Sequence, residues 1–184
     1  MDDYRNEWKH EISYSDLITI RQRMRAVAKL DENAALDGSY QIRSLYFDTP
    51  LDKALREKID GVSSREKFRI RYYNSNTSFI KLEKKSKLNG LCNKKYALLT
   101  AEEAQAIVDC RCEWMLESGS SLIVELYSKM KSEGLRPKTI VDYTREPFIY
   151  PPGNVRVTLD YNIRTGLAST DLLNPNCITI PAGD

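Results

Sequence analysis

The stretch REKFRIRYYNSNTSFIKLEKKSK, running from Arg65 to Lys87, decides the fold. Read in steps of two, as strand geometry requires, its first half puts Lys67, Arg69 and Arg71 on one face and Phe68, Ile70 and Tyr72 on the other. Its second half sets Lys81, Glu83 and Lys85 opposite Ile80 and Leu82. The polar NSNTS segment between them reads as a turn, so the stretch predicts a β-hairpin whose strands each carry a row of mostly positive charge. Like charges facing each other across a ladder oppose pairing. The rows need a reason.

Other segments repeat the pattern. In RNEWKHE, Arg5, Glu7, Lys9 and Glu11 share a face; in NVRVTLDY, Arg156, Thr158 and Asp160 oppose Val155, Val157 and Leu159. Arg145 shares its face with Tyr143 and Val141, and Lys94 shares one with Tyr96. Each strand taken singly fits an antiparallel sheet with one face on a core and one in water. Taken together, rows that favour Lys and Arg fit better a barrel with a charged interior and an apolar exterior covered by helices. Such an interior suffers desolvation and self-repulsion unless a multiply charged anion, water or metal occupies it. A phosphate chain suits it, because Arg grips phosphate oxygens bidentately and Lys supplies a mobile point charge.

The remaining elements follow from periodicity and caps. A strand is expected near Tyr4–Ile12, then a helix over Asp16–Leu30 with Ser15 as N-cap and Leu17, Ile20, Met24, Val27 and Ala28 at helical spacing. A strand near Tyr40–Asp48 precedes a short helix that Thr49-Pro50 opens and Gly61 ends. After the hairpin come a strand near Leu91–Leu99 and a helix that the Thr100/Glu103 capping box opens and that runs to about Glu117. A helix near Leu122–Ser132, strands near Thr139–Ile149 and Asn154–Tyr161, and a short apolar run at Ile178–Ile180 complete an α+β pattern of about eight strands and four helices. No linker or repeat divides residues 1–184, which read as a single domain.

Composition narrows the function. With 28 Lys+Arg against 26 Asp+Glu, the formal charge of +2 argues against a generally basic coat, and no specific nucleic acid is expected as partner. No apolar run approaches the ~18 residues of a membrane span and the start lacks a signal segment, so a cytoplasmic domain is expected. Cys92, Cys110, Cys112 and Cys177 fit neither a paired zinc pattern nor a disulfide framework and read as free thiols. The single histidine, His10, points away from the charged row, and no Ser-His-Asp, Cys-His or phosphate-loop motif is present.

The ordered set RNEWKHEI, SLYFDTP, REKFRIRYYN, FIKLEKKSK, VDYTREPF and VRVTLDYNIR resembles the VTC polyphosphate polymerase domain, a branch of the triphosphate tunnel metalloenzyme superfamily. The resemblance implies an eight-stranded antiparallel tunnel barrel that holds ATP, tripolyphosphate or inorganic polyphosphate among inward cations, with Mn²⁺ or Mg²⁺ held by carboxylates. Carried over by motif, it gives Lys9, Arg69 and Arg71 as catalytic residues. The same residues with Lys81, Lys94, Tyr143, Arg145 and Arg156 bind the substrate, and Glu7 and Glu83 are metal candidates. Glu83 has a second reading, as a charge-balancing partner of Lys81 or Lys85. The superfamily's E-x-E-x-K appears here as Arg5-Asn6-Glu7-Trp8-Lys9, which favours the polymerase branch over the hydrolases. The family's final Glu-x-Lys strand does not follow Ile178-Thr179-Ile180, so a barrel lacking its last strand, from a C-terminally truncated chain, is expected.

The activity implied is transfer of the γ-phosphate of ATP to a growing polyphosphate chain. Two alternatives stand beside it: a tripolyphosphate or nucleoside-triphosphate hydrolase on the same fold, and a polyanion-binding module without turnover. The last would offer Tyr72, Tyr73 or Tyr161 as stacking platforms.

Overall fold

The computed structural model describes residues 6–32, 34–35, 37–89 and 91–182. The decisive hairpin forms as expected, from β3 (Ser64–Tyr73) and β4 (Asn76–Leu88), when β1 (Lys29–Leu30) and β2 (Tyr40–Asp48) are counted before it. Its tip is tighter than the NSNTS segment suggests: Asn74 and Ser75 alone turn the chain, both at positive φ (50° and 56°), as two-residue hairpin loops require. β5 (Leu91–Leu99), β6 (Arg136–Tyr150), β7 (Val155–Thr165) and β8 (Ile180–Pro181) complete the set. Among the described residues these eight strands form one antiparallel sheet in the order β5-β4-β3-β2-β6-β7-β8, and β1 pairs β6 beyond the start of β2.

The sheet is not closed into a barrel. Along that order β5 and β8 are the two ends, and β8 pairs β7 through only Arg164↔Pro181 and Thr165↔Ile180. The strand expected at Tyr4–Ile12 is absent from residues 6–12, which have no regular secondary structure and are exposed throughout; residues 4 and 5 lie outside the described residues. The reason is visible in its pattern. Its charged row alternates with Asn6, Trp8 and His10, which offer no continuous apolar face to bury, so nothing drives pairing.

Period two explains the packing. Leu45, Phe47, Phe68, Ile70, Tyr72, Ile80, Leu82 and Ile140 face one side and form the main core with α3 (Ala101–Val108) and α4 (Ser121–Ser132), counting α1 (Tyr14–Val27) and α2 (Lys53–Ile59) before them. Each buried aliphatic or aromatic side chain there contributes roughly 1.5–3 kcal/mol. α4 docks through Leu122, Ile123 and Leu126, spaced to lie on one helical face. A smaller cluster, Leu17 with Phe148 and Leu159, seats α1 on β6 and β7.

The caps correct three sequence boundaries. Ser13, not Ser15, caps α1: its hydroxyl accepts from the Asp16 amide while the Asp16 carboxylate accepts from the Ser13 amide at 3.2 Å. α2 begins at Lys53, because the buried Asp48 carboxylate accepts from the amides of Thr49, Ala54 and Leu55 and holds Thr49-Pro50 outside the helix. The helix opened by Thr100 stops at Val108, where Cys110 takes a positive φ of 58°, and the chain resumes as a 3₁₀ turn at Glu113–Glu117. Cys110 and Cys112 therefore lie outside a helix, and all four cysteines are free thiols. Among the described residues, no helix is long and apolar enough to cross a membrane.

Candidate functional site

The face opposite the main core collects the cations. From β3 it takes Lys67, Arg69 and Arg71; the ladder sets Lys85, Glu83 and Lys81 of β4 directly across from them. β5 adds Lys94 opposite Lys85 and Tyr96 opposite Glu83. On the other flank, β2 supplies Ser44 opposite Arg71 and Tyr46 opposite Arg69. β6 supplies Tyr143 and Arg145, and β7 supplies Arg156 and Asp160.

At the centre lies a buried ion cluster. Arg71 is 2% exposed and Glu83 1%. Arg69 binds Glu83 Oε2 through Nε at 2.7 Å and Nη2 at 2.6 Å, Arg71 Nη1 lies 3.8 Å from the same oxygen, and Lys94 Nζ lies 2.5 Å from Oε1. Burial by itself pushes the Glu83 carboxyl up, but Arg69, Arg71 and Lys94 outweigh it and hold it at about 2. Of the two sequence readings of Glu83, charge balance is the one these contacts support. Its partners, however, are Arg69, Arg71 and Lys94 rather than Lys81 or Lys85, since cross-strand neighbours meet where residues along one strand do not.

Two tyrosines flank the arginines. Arg69 Nη1 donates to Tyr46 Oη at 2.9 Å, and Arg71 Nη2 donates to Tyr143 Oη at 2.7 Å, while Arg71 Nε donates to Ser44 Oγ at 2.9 Å. Each phenol thus accepts from an arginine and keeps its own proton for another acceptor. Burial would raise the Tyr46 hydroxyl, but Arg69, Lys67 and Arg71 surround it and bring it down to about 8. Tyr143, also ringed by cations, is raised because burial wins. Lys67 and Lys94 are both lowered, chiefly by burial.

The other expected site residues lie around this centre. Arg145 is clamped by Asp160 through two hydrogen bonds of 2.6 Å. Arg156 donates to Asp31 at 2.6 Å and Tyr40 at 3.2 Å, toward the β1 end of β6. Lys9 is exposed in the N-terminal segment, close enough to influence both Glu7 and Lys67. His10 is exposed in the same segment. Tyr72 is turned to the core, with its hydroxyl on the Leu172 carbonyl, and Tyr161 packs beside α1 and donates to Glu146, so neither is a stacking platform.

The metal candidates are not brought together as ligands. Glu7 binds Lys85, Glu83 is committed to its three cations, and among the described residues no three His, Cys, Asp or Glu side chains converge as a metal requires. Among the described residues the donor set does not by itself hold a divalent ion. Sequence reading missed Tyr46 and Ser44, whose strand carries apolar residues on both faces; the signal was their pairing with the Arg69 and Arg71 positions.

An antiparallel sheet with helices on one face and arginines, lysines and tyrosines gathered on the other defines a triphosphate tunnel-type fold. A solved Bacillus halodurans structure of that fold, described as a "putative adenylate cyclase", matches with a TM-score of 0.54 at 13% identity, over 84% of this chain and 68% of that one. The VTC domain family model matches residues 4–179, and the chain belongs to that family. Comparison with curated proteins gives no match.

Proposed function

We propose that this domain is a polyphosphate polymerase, transferring the γ-phosphoryl group of ATP to the end of an inorganic polyphosphate chain. One observation carries the reading: Arg69 and Arg71 stand on one strand at the centre of the basic face, each bonded to a tyrosine whose proton is free for an acceptor. Phosphoryl transfer asks for positioning and charge neutralisation more than for a protein nucleophile. Arg69 and Arg71 hold nonbridging oxygens bidentately, with Lys81, Lys94, Arg145 and Arg156 placed along the same face and Lys9 beside it. A terminal oxygen of the chain attacks the γ-phosphorus, the bond to the β,γ-bridging oxygen breaks, and its electron pair leaves with ADP. The attacking oxygen is already anionic, so the reaction needs no general base.

The tunnel fold generally works with divalent metals. Here Mn²⁺ or Mg²⁺ is read as part of the incoming nucleotide, and no step is assigned to a protein-bound ion. Incubation with ATP and Mn²⁺, with products resolved by gel and by phosphate release, tests the reading. Long polyphosphate with ADP supports it. Orthophosphate without polymer replaces it with a hydrolase, and tripolyphosphate binding without either product replaces it with a polyanion-binding module.

Tyr46 gives this reading a pH signature. Below about 8 its hydroxyl is neutral and donates to phosphate; above that it is a tyrosinate that opposes the anion and neutralises Arg69. Tripolyphosphate affinity therefore falls as pH rises through about 8. Tyr46→Phe is expected to bind about tenfold more weakly at neutral pH, the loss of one hydrogen bond to a charged group, and, because it never carries the tyrosinate charge, to bind more tightly than the wild type at alkaline pH. The decline that persists in the variant belongs to Lys67 and Lys94, lowered by burial. Calorimetric titration across this range checks both curves.

A further inference from the structure

The basic face differs at its two ends. Past Arg69 in one direction come Lys67 opposite Lys85 and Arg65 opposite Lys87, with Lys9 nearby: among the described residues, cations only, apart from Glu7 on Lys85. Toward the hairpin tip the surroundings of Arg71 turn aromatic, and Tyr96, which stands opposite Glu83 on β5, reaches in to join them. Lys81, directly opposite Arg71, sits with its Nζ 4.6 Å from the centroid of the Phe79 ring, 5.1 Å from that of Tyr96 and 5.8 Å from that of Tyr73. Tyr73 is braced edge-on by Tyr40, with centroids 5.5 Å apart.

Two of these rings are open to solvent, Phe79 at 46% and Tyr96 at 61%. Their exposure has a local cause. The β3–β4 register shifts between Arg71 and Tyr73, so β4 carries extra residues against the short tip of β3 and Phe79 falls in that irregular segment. Tyr96 lies on β5, the last strand on that side. Lys81 forms no ion pair among the described residues; its ammonium is held by ring faces alone. A cation so held is easily exchanged, since a flexible four-carbon stem carries it and the rings offer the same faces to any flat partner.

We propose that Phe79 and Tyr96, backed by Tyr73, form the nucleobase subsite of the nucleotide. This deepens the polymerase reading and rests on it. When a nucleoside triphosphate binds, Lys81 swings from the rings to the phosphate nearest the ribose, and the base takes its place by stacking. The phosphates then run past Arg71 and Arg69 toward Lys67 and Lys85, which fixes the direction of the substrate: nucleoside at the hairpin tip, polyphosphate at the lysine-rich end. Stacking faces accept any base, so the subsite favours nucleotides over bare polyphosphate without choosing strongly among bases.

The test compares two ligands on one variant. Calorimetric titration of ATP and of tripolyphosphate is carried out on the wild type and on Phe79→Leu/Tyr96→Leu, with melting curves to verify folding. The double variant is expected to lose about tenfold in ATP affinity, within the range of one lost base stack, and to hold tripolyphosphate within about twofold. Tyr96→Trp is expected to keep or improve ATP affinity. Trp8→Leu, which removes an exposed ring from the opposite end, is expected to change neither ligand. Equal losses for both ligands overturn the subsite, because the rings then shape the phosphate site. No loss for either also overturns it, because the rings then serve only to hold Lys81. A wild type that binds neither ligand overturns the phosphate reading itself and the subsite with it.

Discussion

Arg71→Ala is expected to abolish the rise in melting temperature that tripolyphosphate is expected to give the wild type, and to weaken tripolyphosphate binding by at least about a hundredfold. Two charge-assisted hydrogen bonds of ~1.5–3 kcal/mol each set that scale. Arg71 is the deepest cation on the face, and its guanidinium is aimed by Ser44 and Tyr143 on two different strands. Removal of its charge also leaves Glu83 with Arg69 and Lys94, so the cluster does not lose all its balance and the fold is expected to persist. Arg71→Lys separates charge from shape: it keeps the cation and loses the planar fork, and is expected to fall between wild type and alanine. Calorimetry with thermal melts, with and without tripolyphosphate, reads all three. If the stabilisation survives in Arg71→Ala, the basic face is not the anion site.

Glu83→Gln is expected to have the largest effect on stability. The substitution leaves Arg69, Arg71 and Lys94 gathered without their buried counter-charge, a situation that costs roughly 3–5 kcal/mol. At about 2–4 °C per kcal/mol for a chain of this size, the melting temperature drops on the order of 10 °C. The same variant is expected to gain more from added tripolyphosphate than the wild type does, because the ligand supplies the missing negative charge. The pH dependence follows in sign. Glu83 is depressed from an ordinary 4.5 to about 2, so its contribution is full above about 4.5 and is lost as pH falls toward about 2. Glu83→Gln should flatten the acid limb of stability over that window. A melting temperature that rises instead would show that Glu83 does not balance the arginines.

This carboxylate also revises the opening puzzle of like-charged rows. The sequence suggested that a bound anion makes the rows tolerable. In the structure, a buried carboxylate already offsets the centre of the rows, and among the described residues the cations of these rows that make no ion pair are Arg65, Lys67, Lys81 and Lys87.

What was legible in the sequence is what period two encodes strongly. The strands of the β3–β4 hairpin are legible in this way, though not the two-residue turn between them; the spans near Tyr40–Asp48 and Leu91–Leu99 were legible from the turn and cap residues that bound them. The arginine pair could be placed because Phe68, Ile70 and Leu82 point unambiguously to a core. β2 was harder, since Ile42 is buried on the basic face and Arg43 lies on the core side in a bidentate pair with Asp142. With apolar and charged residues on both sides, the side-chain direction of Tyr46 does not follow from its own strand. The N-terminal segment was misread for the opposite reason: its charges alternate well, but alternation of charge without an apolar partner row supplies no burial energy. The aromatic end escaped as well, because Phe79 and Tyr96 become neighbours only through strand pairing and an irregular register.

β3 is read from two sides at once. Phe68 and Ile70 speak to the helices, while Lys67, Arg69 and Arg71 speak to the basic face, and the two sets interleave residue by residue. A substitution garbles one letter for one listener. A single-residue insertion or deletion between Lys67 and Arg71 instead hands part of each message to the wrong listener, arginine to Leu45 and Ile140, phenylalanine to the basic face. The strand is therefore a text with a frame of two, tolerant of misspelling and intolerant of frameshift, and homologues of this chain are expected to vary in the letters of β3 while keeping its length.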